Sequence, residues 1–196
     1  MKNNYSCELE TLLIREFIPA DYKFTKNIEL DPVPESSKYA ALVFDLNGQN
    51  IIFRKGKVTP DRPGAFLAVW RRPAITATNV DKPIPLKSDE LDYLFVQVQQ
   101  HSKAASNEGS INKPKHGMFI FPITLLVEKG IVSSGKNKGK TGFRVFPPWS
   151  QDRGDVGTKV FSESGKKAQR WQLPYFLEID ENGKIDPGDL NKLFSH

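Results

Sequence analysis

The sequence has few or none of the features that mark secreted, membrane-spanning and zinc-binding proteins. Cys7 is the single cysteine among 196 residues, which excludes an intrachain disulfide and a multi-cysteine zinc site. No apolar run approaches the roughly 20 residues of a membrane-spanning helix. The first ten residues, MKNNYSCELE, lack the basic start and apolar run of a secretory signal. We therefore expect a cytoplasmic protein with no membrane partner.

Histidine is also scarce, and its three copies lie in the polar segment 100–116 and at the last position. No histidine-based metal site is predicted from this distribution. The composition, 38% hydrophobic and 26% charged, is that of an ordinary globular protein. The length fits one domain spanning 1–196. Polar, glycine-rich segments near 100–116 and 133–142 predict mobile loops.

The clearest local signal is a pair of β-rich runs on either side of Asn47-Gly48. This dipeptide favours a hairpin with a type I′ turn, because both central residues of that turn need positive φ. The pattern along the chain predicts strands near 39–46, 49–55, 65–72 and 93–99 and helices over 6–17 and 163–172. The predicted class is α+β, with a mixed, largely antiparallel sheet (a β-meander) flanked by helices.

Positive charge is concentrated in two blocks. Residues 51–72 hold six Lys or Arg against one Asp, a net charge of +5, and residues 133–171 hold nine against three acids, a net charge of +6. Because the whole chain carries +5, the remainder is acidic at −6. Two basic blocks on an acidic background indicate a directed field that attracts an anion.

Aromatic side chains lie among these cations. Alternate residues of a strand share a face, so Trp70 and Arg72 project together, and Arg54 joins them if the two strands are neighbours. Arg can contact phosphate with two hydrogen bonds, and Trp offers a face on which a base can stack. The predicted phosphate- and base-binding residues are Arg54, Lys57, Arg62, Trp70, Arg72, Arg144, Trp149, Arg170 and Trp171.

The predicted partner is therefore nucleic acid. Stacking aromatics need unpaired bases, which favours single-stranded nucleic acid or RNA over duplex DNA. No helix with a basic face for major-groove recognition is evident. Binding of this kind needs no cofactor.

A basic surface with nearby acids is also how magnesium-dependent nucleases are built, since the acids hold the metal and a lysine steadies water or phosphate. The candidates here are Glu35, Asp45 and Lys57. The second strand of the hairpin supplies the lysine without an adjacent acid, and Asp45 is as well placed to support the Asn-Gly turn. Catalysis with Mg²⁺ is thus a hypothesis on these three residues.

These residues also resemble the pattern of the bacterial MepB-like proteins, from about Tyr39 to Ile179. The matching motifs are Arg54-x-x-Lys57-x-Thr59-Pro60, Gly64-x-Phe66, Trp70-x-Arg72, Phe119-x-Phe121-Pro122, Leu126-x-Glu128-Lys129-Gly130, Arg144-Val145-x-Pro147-Pro148-Trp149 and Gln169-x-Trp171-Gln172. Members typically have Ala where this chain has Gly56. The order of elements looks like the restriction-endonuclease, or PD-(D/E)XK-like, fold, and the resemblance therefore implies a nuclease-like core.

Two other functions stay open. One is an enzyme acting on a nucleotide or another small phosphorylated ligand, with Arg54, Lys57 and Arg72 forming a compact pocket and Glu35 or Asp45 as base or metal ligand. The other is an interaction protein whose basic face meets an acidic partner. The sequence predicts no oligomeric state.

Overall fold

A computed structural model of the chain describes residues 4–31, 40–59, 61–71, 83–100, 114–150 and 160–194. The helices are α1 (Asn4–Leu12), which continues as a π-helical turn (Leu13–Phe17), α2 (Ile123–Glu128), α3 (Glu163–Gln172), which continues as a 3-10 turn (Leu173–Tyr175), and α4 (Pro187–Phe194). The strands are β1 (Phe24–Leu30), β2 (Leu42–Leu46), β3 (Gln49–Lys55), β4 (Lys57–Thr59), β5 (Arg62–Ala68), β6 (Trp70–Arg71), β7 (Ile84–Pro85), β8 (Tyr93–Gln99), β9 (His116–Pro122), β10 (Gly142–Val145) and β11 (Phe176–Ile179).

The described strands form a large sheet, a small sheet and a two-stranded pair. The large sheet has the order β1-β2-β3-β8-β9-β11, the small sheet has the order β10-β5-β4, and β6 pairs with β7. All pairings in the two larger sheets are antiparallel except that of β3 with β8, which is parallel. The predicted α+β class with a mixed, largely antiparallel sheet is therefore confirmed.

The large sheet is the middle layer of the molecule. Alternate residues of its central strands point to opposite cores, so Ile51 and Phe53 face one cluster while Ile52 faces the other. The first cluster is covered by α1 and α4, through residues such as Phe17 and Leu190. The second is covered by α2 and by the inner face of the small sheet. The outer face of the small sheet is consequently turned away from both cores.

Gly56 marks the point where the chain leaves the large sheet. Its N–H still donates to the carbonyl of Gln97, 2.8 Å away, but the next residue begins β4 in the small sheet. A Cβ at Gly56 would lie 3.0 Å from the Cβ of Ala65 and 3.1 Å from Val98, so the missing side chain permits this close crossing. The chain forms β4 and β5 of the small sheet before it returns to the large sheet, and this crossover allows β8 to run parallel to β3.

Several predicted elements have the observed bounds, among them β3, β8 and α3. At the hairpin turn, φ is 53° at Asn47 and 79° at Gly48, as a type I′ turn requires. The segment expected to be one strand over 65–72 is instead divided between β5, which pairs with β4 and β10, and β6, which pairs with β7. Among the described residues, no helix is long and apolar enough to cross a membrane.

Candidate nucleic-acid interface

Three side chains form a row across the outer face of the small sheet. Lys57 of β4 is paired with Phe66 of β5, and Phe66 is paired with Arg144 of β10. Residues directly opposite each other in neighbouring strands project from the same face. The adjacent residues Ala65 and Leu67 are buried in the second core, so this face is the outer one. We call Lys57, Phe66 and Arg144 the cationic row.

The aromatic ring at the centre of the row is open to solvent. Phe66 is 37% exposed, which is unusual for a phenylalanine within a strand. Its ring occupies the space above Gly142, where a Cβ would lie 2.6 Å from the ring. An exposed ring between two cations can stack on an unpaired base while the cations contact the flanking phosphates.

Arg144 is held in place by neutral acceptors. Its Nη2 donates to the hydroxyl of Thr59 at 2.6 Å, and its Nη1 donates to the carbonyl oxygens of Pro63 at 3.2 Å and Gly64 at 3.4 Å. The Arg144 side chain is half-buried, and this burial is the main cause that lowers the pKa of its guanidinium. The negative charge of nearby Asp61 acts in the opposite direction and raises that pKa. Arg144 therefore presents a fixed charge whose direct partners are uncharged.

Arg62 and Asp61 lie at the rim of this face. Arg62 Nε is 3.3 Å from the Asp61 carboxylate, and both side chains are exposed. A hydrogen bond from the Thr59 hydroxyl is the main cause that lowers the pKa of Asp61. The rim thus carries one acid beside its cation, and an exposed pair of this kind exchanges readily with solvent and other ions.

A cleft of about 330 Å³ lies beside β10, between that strand and α3. Arg144 lines it, so the cleft adjoins the cationic row. The other residues that line it are Lys129, Ile131, Lys140, Phe143, Phe146, Ser162, Ser164, Gly165, Ala168, Trp171 and Gln172. The second basic block therefore contributes to the same region of the molecule as the first.

Two glutamines attach α3 to β10. Gln172 is fully buried, and its side-chain amide donates to the carbonyl of Arg144 at 3.0 Å and accepts from the N–H of Phe146 at 2.8 Å. Gln169 donates to the carbonyl of Pro147 at 3.0 Å. These three bonds fix the width of the cleft. These bonds also explain why polar Gln side chains, and not apolar ones, lie on the side of α3 that faces β10.

The predicted tryptophans have different environments. Trp171 lines the cleft, with its ring centroid 5.7 Å from that of Phe121 and with Lys129 Nζ 5.8 Å from the centroid. Trp149 packs edge-on against Phe176 at 5.5 Å and is half-buried. Trp70 belongs to β6, where it is paired with Pro85, and is also half-buried. Only Trp171 is brought to the cleft.

Arg170 is exposed on α3, whereas Arg54 is not a surface residue. Arg54 is 3% exposed, its Nη2 lies 2.5 Å from the Asp31 carboxylate, and its Nη1 donates to the carbonyl of Phe53 at 2.9 Å. Burial lowers the pKa of its guanidinium, and Asp31 partly offsets that effect. The prediction that Arg54 contacts phosphate beside Trp70 is not retained, because the two residues lie in different sheets. Arg72 lies outside the described residues.

Two of the three predicted catalytic residues, Asp45 and Lys57, lie far apart. Asp45 is buried, and its carboxylate accepts from the N–H of Gly48 at 2.9 Å, which supports the hairpin turn. Lys57 lies beyond the opposite end of β3, which at about 3.3 Å per residue places it roughly 20 Å away. Glu35 lies outside the described residues. Lys57 is therefore too far away to steady water or phosphate at a metal ion held by Asp45.

The donor set in the described ranges does not fit a magnesium site at the hairpin. No group of three or more His, Cys, Asp or Glu side chains within those ranges is arranged to hold a metal ion. The acid that the hairpin does provide is already engaged in its turn.

Comparison with known proteins decides the family. The model of the family described as MepB-like matches residues 33–178, which is most of the chain. The chain belongs to the MepB-like family. A solved structure titled "Crystal Structure of MepB" superposes with a TM-score of 0.62 and 25% sequence identity, covering 92% of this chain and 99% of that one. A comparison with curated proteins gives no match.

Within this MepB-like chain, two of the sequence motifs prove to be one structural unit. The motif that begins at Arg144 supplies the backbone groups, and the motif Gln169-x-Trp171-Gln172 supplies the amides that bind them. Phe66 is a site residue that was not among those predicted from the sequence. Its alternation with buried Ala65 and Leu67 could have revealed an outward position, but its pairing with Lys57 and Arg144 required the register of three strands.

Proposed function

We propose that the protein is a cytoplasmic nucleic-acid-binding protein that holds unpaired bases and phosphates on the outer face of its small sheet. The observation that carries this proposal is the cationic row, in which an exposed Phe66 ring lies between Lys57 and Arg144. A phenyl ring stacks on any base, and the flanking cations can neutralise the phosphates on either side.

The preferred ligand is single-stranded nucleic acid, with RNA favoured. The bases of a duplex are stacked on one another and offer no free face to Phe66. Several RNA-binding modules present exposed aromatics on a sheet for this purpose, which supports the proposal by analogy only. Among the predicted contacts, the exposed Arg62 lies at the rim of this surface, and Trp171 lies at the cleft beside it.

A restriction-endonuclease-like core remains a proposal about the scaffold. A mixed central sheet with helices on both faces is compatible with it, but Asp45 is engaged in the hairpin turn and distant from Lys57. The proposed function is therefore binding, with no assigned reaction. Magnesium-dependent cleavage is tested together with binding.

A small phosphorylated ligand is the alternative to a nucleic-acid strand. The structure weakens the proposed site at Arg54 and supports a site in the cleft beside α3. A pocket built on Arg54 is incompatible with the burial of that residue against Asp31. The cleft beside α3, however, has the size and the charges that such a ligand requires.

Binding of fluorescent single-stranded RNA, single-stranded DNA and duplex DNA at two salt concentrations tests the proposed function. We expect the single strands to bind more tightly than the duplex and to lose affinity steeply as salt rises. Samples with and without Mg²⁺, run on a gel, report cleavage. Equal affinity for all three ligands would contradict a role for base stacking.

The matched variants are Phe66→Ala and Val58→Ala. Both residues are 37% exposed in the small sheet, but Val58 neighbours Lys57 in β4 and projects from the opposite face. We expect Phe66→Ala to weaken single-strand binding by about 1–3 kcal/mol, the contribution of one stacked base. Val58→Ala should leave binding unchanged. Equal effects of the two substitutions would remove the cationic row from the interface.

A further inference from the structure

The cleft between β10 and α3 has a lining that base stacking on Phe66 does not explain. Three basic residues, Lys129, Lys140 and Arg144, line it together with the aromatic residues Phe143, Phe146 and Trp171. None of the described residues that line it is Asp or Glu. A pocket with flat apolar walls and positive charge suits a ligand that is both aromatic and anionic.

The size of the cleft limits that ligand to one small unit. Its volume of about 330 Å³ is at the lower end of the range of roughly 300–1,000 Å³ for small-molecule sites. Small side chains on α3, Ser164 and Ala168, leave this space open, and Trp171 follows Ala168 by one helical turn. The space fits a single nucleotide and excludes a duplex.

Two lysines from different elements contribute positive charge to the lining of the cleft. Lys129 lies over the Trp171 ring while also contacting Glu128 at 2.7 Å, and Lys140 is exposed in the loop before β10. The first turn of α3 lies at the cleft, where its N-cap Ser162 accepts from the N–H of Gly165 at 3.1 Å. The positive end of the helix dipole adds to the attraction for phosphate. Glu163 in the same turn, which pairs with Lys166 at 3.3 Å, acts in the opposite direction.

Arg144 belongs both to the cationic row and to the cleft, so a strand lying on the row passes the mouth of the cleft. We propose that the cleft binds one nucleoside phosphate, with its base against Trp171 and its phosphate near Lys140 and Arg144. When a nucleic-acid strand is bound, the nucleotide in the cleft is one unstacked or terminal nucleotide of that strand. The inference rests on the proposed function for that strand, although free nucleotides share the same chemistry.

Tryptophan indole resonances provide a direct readout of the cleft. In ¹⁵N-labelled protein the three indole N–H signals are assigned with Trp→Phe variants and titrated with adenosine and uridine 5′-monophosphates. We expect the Trp171 signal to move and the signals of Trp70 and Trp149 to stay, because only Trp171 lines the cleft. The variant Lys140→Ala should weaken the titration without affecting the fold, since its side chain is exposed.

A second pair of variants tests the strand. Ala168→Phe fills the cleft, whereas Lys167→Phe places the same ring on an exposed position of the same helix. We expect Ala168→Phe to weaken binding of single-stranded RNA about tenfold, the loss of one stacked base, and Lys167→Phe to leave the cleft open. Circular dichroism checks folding, and Lys140→Ala provides the same test if Ala168→Phe does not fold.

The outcomes separate this inference from the proposed function. Normal strand binding by Ala168→Phe and Lys140→Ala, with no movement of the Trp171 signal, would overturn the nucleotide cleft and leave the proposed function standing. Movement of the Trp171 signal without any strand binding would support the cleft as a site for free nucleotides and overturn the proposed function.

Discussion

Gly56 divides one basic stretch into two parts that use their charges in opposite ways. Before it, Arg54 is buried in the large sheet, and its charge is neutralised by Asp31. After it, Lys57 is exposed in the small sheet, beside the exposed ring of Phe66. The contrast shows that local sequence does not decide whether a cation binds a ligand. The burial of the strand face and the presence of an acid partner decide it.

The largest effect is expected before Gly56. Asp31→Ala leaves the Arg54 guanidinium buried without its counter-charge, which should lower the free energy of unfolding by about 3–5 kcal/mol. The double variant with Arg54→Met and Asp31→Leu should recover most of that loss, because no buried charge remains. Lys57→Ala, an exposed change, should alter stability by no more than about 0.5 kcal/mol.

Guanidinium denaturation followed by circular dichroism measures the free energy of unfolding of all three variants. If Asp31→Ala and Lys57→Ala were equally mild, the two parts of the basic stretch would not differ as described. Oligonucleotide binding by the folded double variant should match that of the original protein, since Arg54 does not reach the surface.

Two glycines with positive φ sharpen the comparison between the sheets. Gly48 in the hairpin turn (φ 79°) has nothing within 4 Å of an added Cβ, whereas a Cβ at Gly64 of β5 (φ 73°) would lie 2.5 Å from the carbonyl oxygen of Val145. Gly48→Ala should cost about 1–2 kcal/mol from backbone strain alone. Gly64→Ala should cost more, because backbone atoms of β10 cannot move aside. Thermal unfolding of both variants checks this order, and equal losses would contradict it.

Arg144 shares features of both Arg54 and Lys57, because it is half-buried and also lies at the proposed interface. Arg144→Ala should lower stability by about 1–2 kcal/mol, through the lost hydrogen bonds to Thr59 and Pro63, and should also weaken strand binding. Arg144→Lys keeps the positive charge but loses the paired N–H donors. Compared with Arg144→Ala, it should therefore recover part of the strand binding and a smaller part of the stability. Parallel denaturation and binding titrations separate the two effects. Unchanged binding in Arg144→Ala would assign this residue to structure alone.

The smallest effect is expected from Lys57. For single strands, the slope of log affinity against log salt falls by about 0.7 for each phosphate contact removed. Lys57→Ala should reduce the slope by that amount. Lys23→Ala is the matched control, because Lys23 is also exposed but lies near the hairpin turn at the far end of the large sheet. A change of slope in both variants would indicate general electrostatic attraction.

The elements that the sequence predicts well are those whose local pattern and final environment agree. The hairpin strand β3 and strand β8 are rich in β-branched and aromatic residues, and α3 begins after a Ser162 cap. Strand β1 was missed because its sequence, FTKNIEL, is largely polar and it lies at a sheet edge. The short helix α4 was not predicted. Packing of Leu190 into the first core stabilises it.

The candidate site was predicted less completely than the fold, for a physical reason. The basic blocks are visible locally, but Asp31 is 23 residues from Arg54, and no local pattern connects them. Likewise, Lys57 and Arg144 become neighbours of Phe66 only through strand register. The mobility predicted for the loop near 133–142 stays a prediction. Its ends are hydrogen-bonded, with Ser133 N–H donating to Leu86 at 2.7 Å and Lys140 N–H to Ile131 at 2.8 Å.

The side chain of Gln172 has a consequence for the behaviour of the protein at high concentration. Strand β10 lies at one edge of the small sheet, and an open edge can recruit strands from other molecules. The Gln172 amide occupies the N–H of Phe146 and the carbonyl of Arg144, two backbone groups with which an incoming strand would pair. The other edge is β4, only three residues long. The amide that positions α3 thus also protects the protein against edge-to-edge aggregation.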